Sequence, residues 1–169
     1  MSKGIQIIEN HYDTIVWLKL DKQFFHSEND IYLAGVYMWV ENSPAYDVHD
    51  IDLFQLIQND INSYECAGSV LMCGDWNAPV GNGSRPDYIV CDTNIDMIDH
   101  DDYTPDVHLS RVSKDTRCNS HGLKLLDLCK ASGFRLANGR LFKDNLIGDY
   151  TYTGVSLRAC ARVCRCVCV

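Results

Sequence analysis

With 169 residues, 46% of them hydrophobic and 10% aromatic, the chain is long enough for one domain with a sizeable core. Its 23 acidic against 15 basic residues, a formal net charge of -8, argue against a broad electrostatic grip on a phosphate backbone. A local basic rim or metal ions can still reverse the field at one site. We read no leader in it and no apolar run of the roughly 20 residues needed to cross a membrane. A nuclear or cytoplasmic setting with reduced thiols is therefore expected for its nine Cys.

In chain order, Gly4-Glu9, Thr14-Leu20 and Asp30-Val40 are rich in Val, Ile, Tyr and Trp and read as consecutive strands joined by short polar turns. Glu41-Asn42-Ser43-Pro44 breaks the third. From Tyr46 to Tyr64, Val48, Ile51, Phe54, Ile57 and Ile61 recur at three and four, which predicts one helix with a single apolar face. The run Ser69-Val70-Leu71-Met72-Cys73, bounded by glycines, predicts a buried strand continuing to Asp75. A strand, helix, strand order of this kind suits parallel pairing.

Asn82-Gly83-Ser84 has the form of a glycosylation sequon but reads better as a turn. Between Cys91 and Asp106 lies an acidic stretch whose spacing fits no calcium loop and reads as a solvated connection. Asn119 or Ser120 caps a predicted second helix with Leu123, Leu125, Leu126 and Leu128 on its core face and Gly133 as its stop. Phe134-Arg135-Leu136-Ala137 and Asp149-Tyr150-Thr151-Tyr152-Thr153 are further candidate strands.

The chemistry concentrates in Gly74-Asp75-Trp76-Asn77-Ala78-Pro79-Val80-Gly81. In extended chain, residues two apart share a side, so Asp75 and Asn77 face one way while Trp76 turns inward. A carboxylate and an amide at the C-terminal end of a buried strand stand where open sheets present ligand groups. The competing reading is that they open a Pro-Gly turn.

The pentapeptide Gly74-Asp75-Trp76-Asn77-Ala78 resembles a signature of the endonuclease/exonuclease/phosphatase superfamily, which includes abasic-site endonucleases, DNase I and inositol and sphingolipid phosphodiesterases. Upstream, Tyr12 to Asp21 and Asp30 to Tyr37 look like consecutive strands of retrotransposon endonucleases. Downstream, Arg111 to Asp115, Asn119, Gly122 to Cys129 and Asn138-Gly139-Arg140 are similar to the region that follows there, so the resemblance runs from about Gly4 to Gly154. The nearest likeness is to the endonuclease domain of non-LTR (LINE-type) elements. It implies an α/β (α+β) fold of the DNase I-like type: a four-layer sandwich, here partial, of two packed mixed β-sheets flanked by helices.

The resemblance also implies roles. Asp75 matches the carboxylate that orients or deprotonates the attacking water, and Asn77 the amide that holds the scissile phosphate. Tyr37 matches a Tyr near the phosphate, although Met38-Trp39 replaces the usual Pro-Pro and a core aromatic is the competing reading. Thr151 matches a Thr near the DNA backbone, and Asn119 lies in a matching stretch where helix capping explains it equally well.

The implied cofactor is Mg²⁺ and the implied partner DNA, the latter weakened by the net charge. Yet the family's first-strand Asn and the Gln-Glu pair that supplies its principal Mg²⁺ carboxylate precede the point where the match starts. The terminal acid and His expected after Tyr150-Thr151-Tyr152 are replaced by Leu157-Arg158-Ala159-Cys160, and none of the six His occupies that context. The expectation is a metal-dependent phosphodiester hydrolase domain, truncated at both ends and catalytically impaired, because such groups act as a unit. The alternatives are a non-catalytic module of the same fold that binds nucleic acid or protein, and a thiolate metal-binding protein.

Residues 1 to 156 are expected to form the domain and 157 to 169 a disordered tail. Cys160, Cys164, Cys166 and Cys168 lack the paired spacing of structural zinc sites. Arg158 to Val169 follows the alternation of codon classes that a translated GT-type repeat produces, except at Arg165.

Overall fold

Backbone turn chemistry sets the first hairpin. Tyr12 and Asp13 both take positive φ, 53° and 54°, as the central pair of a tight turn that Thr14 N–H closes by donating to the His11 carbonyl at 2.9 Å and whose twist matches that of the flanking strands. The side chain of Asn10 donates to Asp13 Oδ1 at 2.9 Å, and β1 (Ile5–His11) turns back antiparallel as β2 (Ile15–Leu20). The computed structural model describes residues 4–81, 86–88, 111–140 and 144–149, together with the backbone of 164–166.

β3 (Ile31–Tyr37) pairs antiparallel with β2, and β4 (Ser69–Asp75) pairs parallel with β3 from Ile31 opposite Ser69 to Tyr37 opposite Asp75. The short β5 (Cys164–Cys166) lies antiparallel along β4, so the order is β1-β2-β3-β4-β5. Four helices accompany the sheet among the described residues: α1 (Lys22–Phe25), α2 (Pro44–His49), α3 (Leu53–Tyr64) and α4 (Ser120–Ala131). This is the mixed α/β architecture that the sequence predicts, built, among the described residues, on one mixed sheet. No helix among the described residues is long and apolar enough to cross a membrane.

One face of the sheet carries the core. Ile15, Trp17, Tyr32, Ala34, Val36, Val70 and Met72 are buried with Leu53, Phe54, Ile57 and Ile61 of α3 and with Leu125, Leu126, Leu128 and Cys129 of α4. Each such Val, Leu, Ile, Met or Phe side chain contributes roughly 1.5–3 kcal/mol by leaving water. By alternation Val16, Leu18, Leu33 and Leu71 point to the opposite face and are half-buried.

The structure corrects two boundaries and the placement of one leucine. The single helix predicted from Tyr46 to Tyr64 is two, because Asp50 takes a left-handed φ of 47° and Asp52 caps α3, its Oδ1 accepting the Phe54 and Gln55 amides at 3.0 and 3.4 Å. Val48, placed by its spacing on the core face, is therefore 77% exposed. The third strand ends at Tyr37 rather than Val40, since Met38 N–H turns to the carbonyl of Asp75 at 2.8 Å. On α4, Leu123 is exposed while Leu125, Leu126 and Leu128 are buried, and the expected stop, Gly133, has φ +68° just past the cap.

Phe134–Ala137 is not among the strands of the sheet. The sequon, the acidic stretch 91–106, Thr151 with all but Asp149 of the last predicted strand, and most of the expected tail lie outside the described residues.

Candidate functional site at the ends of β3 and β4

Gly74 precedes the site with φ +143° and lies directly against the backbone of Val36. Beyond it Asp75 closes β4, and Trp76, 2% exposed, turns into the core near Phe54, as the alternation predicts. That inward turn needs a reversal, which Asn77 supplies in the left-handed region at φ 45°, a conformation Asn tolerates better than most residues. Its N–H donates to Asp75 Oδ1 at 3.0 Å and its Nδ2 donates to the carbonyl of Met38 at 2.7 Å. The ends of β3 and β4 are thereby stitched together by side chains as well as by backbone.

Both sequence readings of the pair meet here. Asp75 and Asn77 do form an Asx-type turn, and Asp75 stands exposed beside Tyr37, its register partner across a parallel pair. Tyr37 is 59% exposed, so it is not a core aromatic. The arrangement offers one carboxylate oxygen outside the turn, a nearby phenol and a rigid backbone. It can orient water against a ligand seated on the strand ends.

Asn119 is the N-cap of α4, accepting Gly122 N–H at 2.8 Å. The chain after the site reaches that helix through Val80, bridged to Cys118, and through Gly81, whose N–H donates to Arg117 O at 2.8 Å. Mg²⁺ does not fit the strand ends as a resident ion. Among the described residues Asp75 belongs to no cluster of three or more closely spaced ligating side chains, and one of its oxygens is already in the turn, whereas a hard cation needs several oxygens to offset its hydration.

Sequence reasoning missed two other clusters. The first lines a cleft of about 400 Å³ between α2, α3 and α4. Ser120 Oγ donates to Glu41, Lys124 Nζ pairs with Asp52 at 2.8 Å, and His121 packs edge-on against Tyr46 and Phe54. Burial pushes the Tyr46 phenol up to about 12 and the His121 imidazole below its usual value. His121 Nδ1 finds no hydrogen-bond partner among the described residues.

A group whose folded pKa is depressed resists protonation only in the fold, so the unfolded chain takes up the proton first as pH falls. Stability should therefore decline as pH drops below about 6.5, the value for an unperturbed imidazole. His121→Phe, which keeps the aromatic contacts, is expected to flatten that decline in denaturant melts taken from about pH 7 to pH 5.

The second cluster joins β1 to α3. His11 Nε2 lies 3.0 Å from Asp60 Oδ2 and 3.5 Å from Glu9 Oε1. Trp17 Nε1 donates to Asp60 Oδ2 and the Tyr64 hydroxyl to Glu9 Oε2, both at 2.8 Å. Burial holds the Asp60 carboxyl above the usual carboxylate value despite these donors. Its signal was present as an acid inside the apolar stripe of α3, beside Ile57 and Ile61. Comparison of the chain with protein-family models, with curated proteins and with solved structures gave no match.

Proposed function

We propose that the chain is a phosphodiesterase-type domain of the endonuclease kind, resembling that of LINE-type retrotransposons, with impaired hydrolysis. The observation that supports this reading most is the register of Tyr37 against Asp75 at the C-terminal ends of a parallel strand pair, with Asn77 joining the two ends. Asp75 would orient water toward a phosphate resting against Tyr37. In-line attack also requires relief of charge on the non-bridging oxygens, and among the described residues Asp75 belongs to no cluster of three or more ligating side chains that would hold a metal for it. On this reading the fold is DNase I-like, and a second sheet belongs on the face bearing Val16, Leu18, Leu33 and Leu71.

Two measurements test it. Nicking of supercoiled plasmid in Mg²⁺ by the purified chain should stay at background; nicking that Asp75→Ala abolishes would overturn the impairment. A dinucleoside monophosphate titrated into isotope-labelled protein should shift the amides of Tyr37, Met38 and Asp75 to Ala78, and Tyr37→Phe should weaken its binding severalfold. If none of those amides responds, the phosphodiesterase reading itself falls.

A further inference from the structure

We infer that Glu9, His11 and Asp60 form a site for a divalent transition-metal ion of the zinc type, separate from the strand-end cluster. It rests on how the sheet aims two of the three side chains. Along β1, Ile5 and Ile7 pair with Leu20 and Leu18, but the register shifts between Ile7 and Glu9, so that Glu9 then pairs with Trp17 and His11 with Ile15. Directly opposed residues share a face, and Trp17 and Ile15 face the helices. The bulge therefore turns Glu9 and His11 from the far side of the sheet toward α3, where Asp60 meets them. Without that one extra residue, Glu9 and His11 would follow Ile7 onto the opposite face.

The spacing suits a metal. Ligand atoms about 2.0–2.1 Å from a tetrahedral zinc lie about 3.3 Å from one another, and the separations at His11 Nε2 are 3.0 and 3.5 Å. All three ligand atoms lie within 4.8 Å of one another. Outer groups fix both carboxylates: the Tyr64 hydroxyl holds the Glu9 oxygen turned away from His11, and the Trp17 indole holds Asp60. Donors of this kind orient ligands around metal centres and set their basicity.

Charge favours the same ligand. Two carboxylates gather around one imidazole at the edge of the core, with side chains 41% and 11% exposed for Glu9 and Asp60. A dication neutralises both acids while the imidazole binds uncharged. One nitrogen and two oxygens suit zinc and its first-row neighbours better than calcium or magnesium. The three protein ligands leave a fourth position for water or substrate.

The test uses the full chain carrying Cys160, Cys164, Cys166 and Cys168 as Ser, which removes the thiols of the C-terminal segment as competitors. Titration with Co²⁺ should give one equivalent with ligand-field bands of a nitrogen and oxygen environment and no thiolate charge-transfer band. Glu9→Gln and His11→Ala, both at partly exposed positions, should each weaken binding tenfold or more, and Glu28→Gln should leave it unchanged. Absence of stoichiometric Co²⁺ binding overturns the assignment. So does binding that neither Glu9→Gln nor His11→Ala weakens.

Discussion

Asp87→Ala is expected to destabilise the fold by about 3–5 kcal/mol, the usual cost of leaving a buried charge without its partner. Asp87 is 2% exposed and Arg140 7%. The carboxylate receives both guanidinium nitrogens of Arg140, Nη2 at 2.7 Å, and also the Leu136 amide at 2.8 Å. Arg140 in turn donates to Leu136 O at 3.1 Å. The pair is thus the clasp between residues 86–88 and the turn that follows α4. Urea unfolding midpoints of the wild type, Asp87→Ala and the double variant Asp87→Leu with Arg140→Met would measure it. The double variant should recover only part of the loss: an apolar pair carries no desolvation cost, but the buried Leu136 N–H loses its acceptor. A single-variant loss under about 1 kcal/mol would mean that the pair behaves as an exposed one.

The same pair fixes the behaviour in acid. Burial pushes the Asp87 carboxyl up, but the Arg140 hydrogen bonds and the Leu136 amide outweigh it and hold the group below 3.8. A depressed folded pKa contributes stability above the unfolded value and loses it as pH falls through the folded one. Asp87→Asn should therefore flatten the stability profile below about pH 4.

How much of this could be read from sequence depended on the range of the interaction. β2, β3 and β4 were legible because side-chain alternation and apolar runs are local. The end of α4 was legible because Gly133 adopts the positive φ that its type permits. The break at Asp50 was not, because Val48 and Ile51 continue the helical spacing across it, and only the capping preference of Asp52 marked the restart.

The site shows the same division. Asp75, Trp76 and Asn77 follow local rules of strand alternation and turn chemistry. Tyr37 became their neighbour through parallel register, a fact 38 residues removed in sequence from the motif. Glu9, His11 and Asp60 needed both a bulge and a helix face to meet, and neither has a short sequence signature. Asp87 and Arg140 needed a long-range fold to become a pair.

Gly74→Ala should be the most disruptive glycine-to-alanine change among the described glycines of the chain's first half. Its added Cβ would lie 1.8 Å from Val36 O and 2.7 Å from Val36 C and N, at φ +143°. Val36 and Gly74 are register partners, so relief requires prying β3 from β4 rather than rotating a side chain. Strained backbone costs on the order of 1–3 kcal/mol and overpacking a further 1–3 kcal/mol, so a loss of roughly 2–6 kcal/mol is expected. Gly133→Ala is the control: its φ is +68° with nothing within 4 Å of the new methyl, and only the left-handed penalty of about 1–2 kcal/mol remains. Equal losses for the two variants in denaturant melts would show that Val36 and Gly74 do not meet as described. Asp75→Ala, by contrast, removes one exposed turn hydrogen bond and should cost only about 1 kcal/mol. The Gly of the Gly-Asp-Trp-Asn sequence is thus required by the strand pair itself, whatever the site does, while Asp75 is nearly dispensable to the fold. Any chemistry at the strand ends must therefore be sought in the consequences of replacing Asp75 and Tyr37, where loss of binding can be separated from loss of structure.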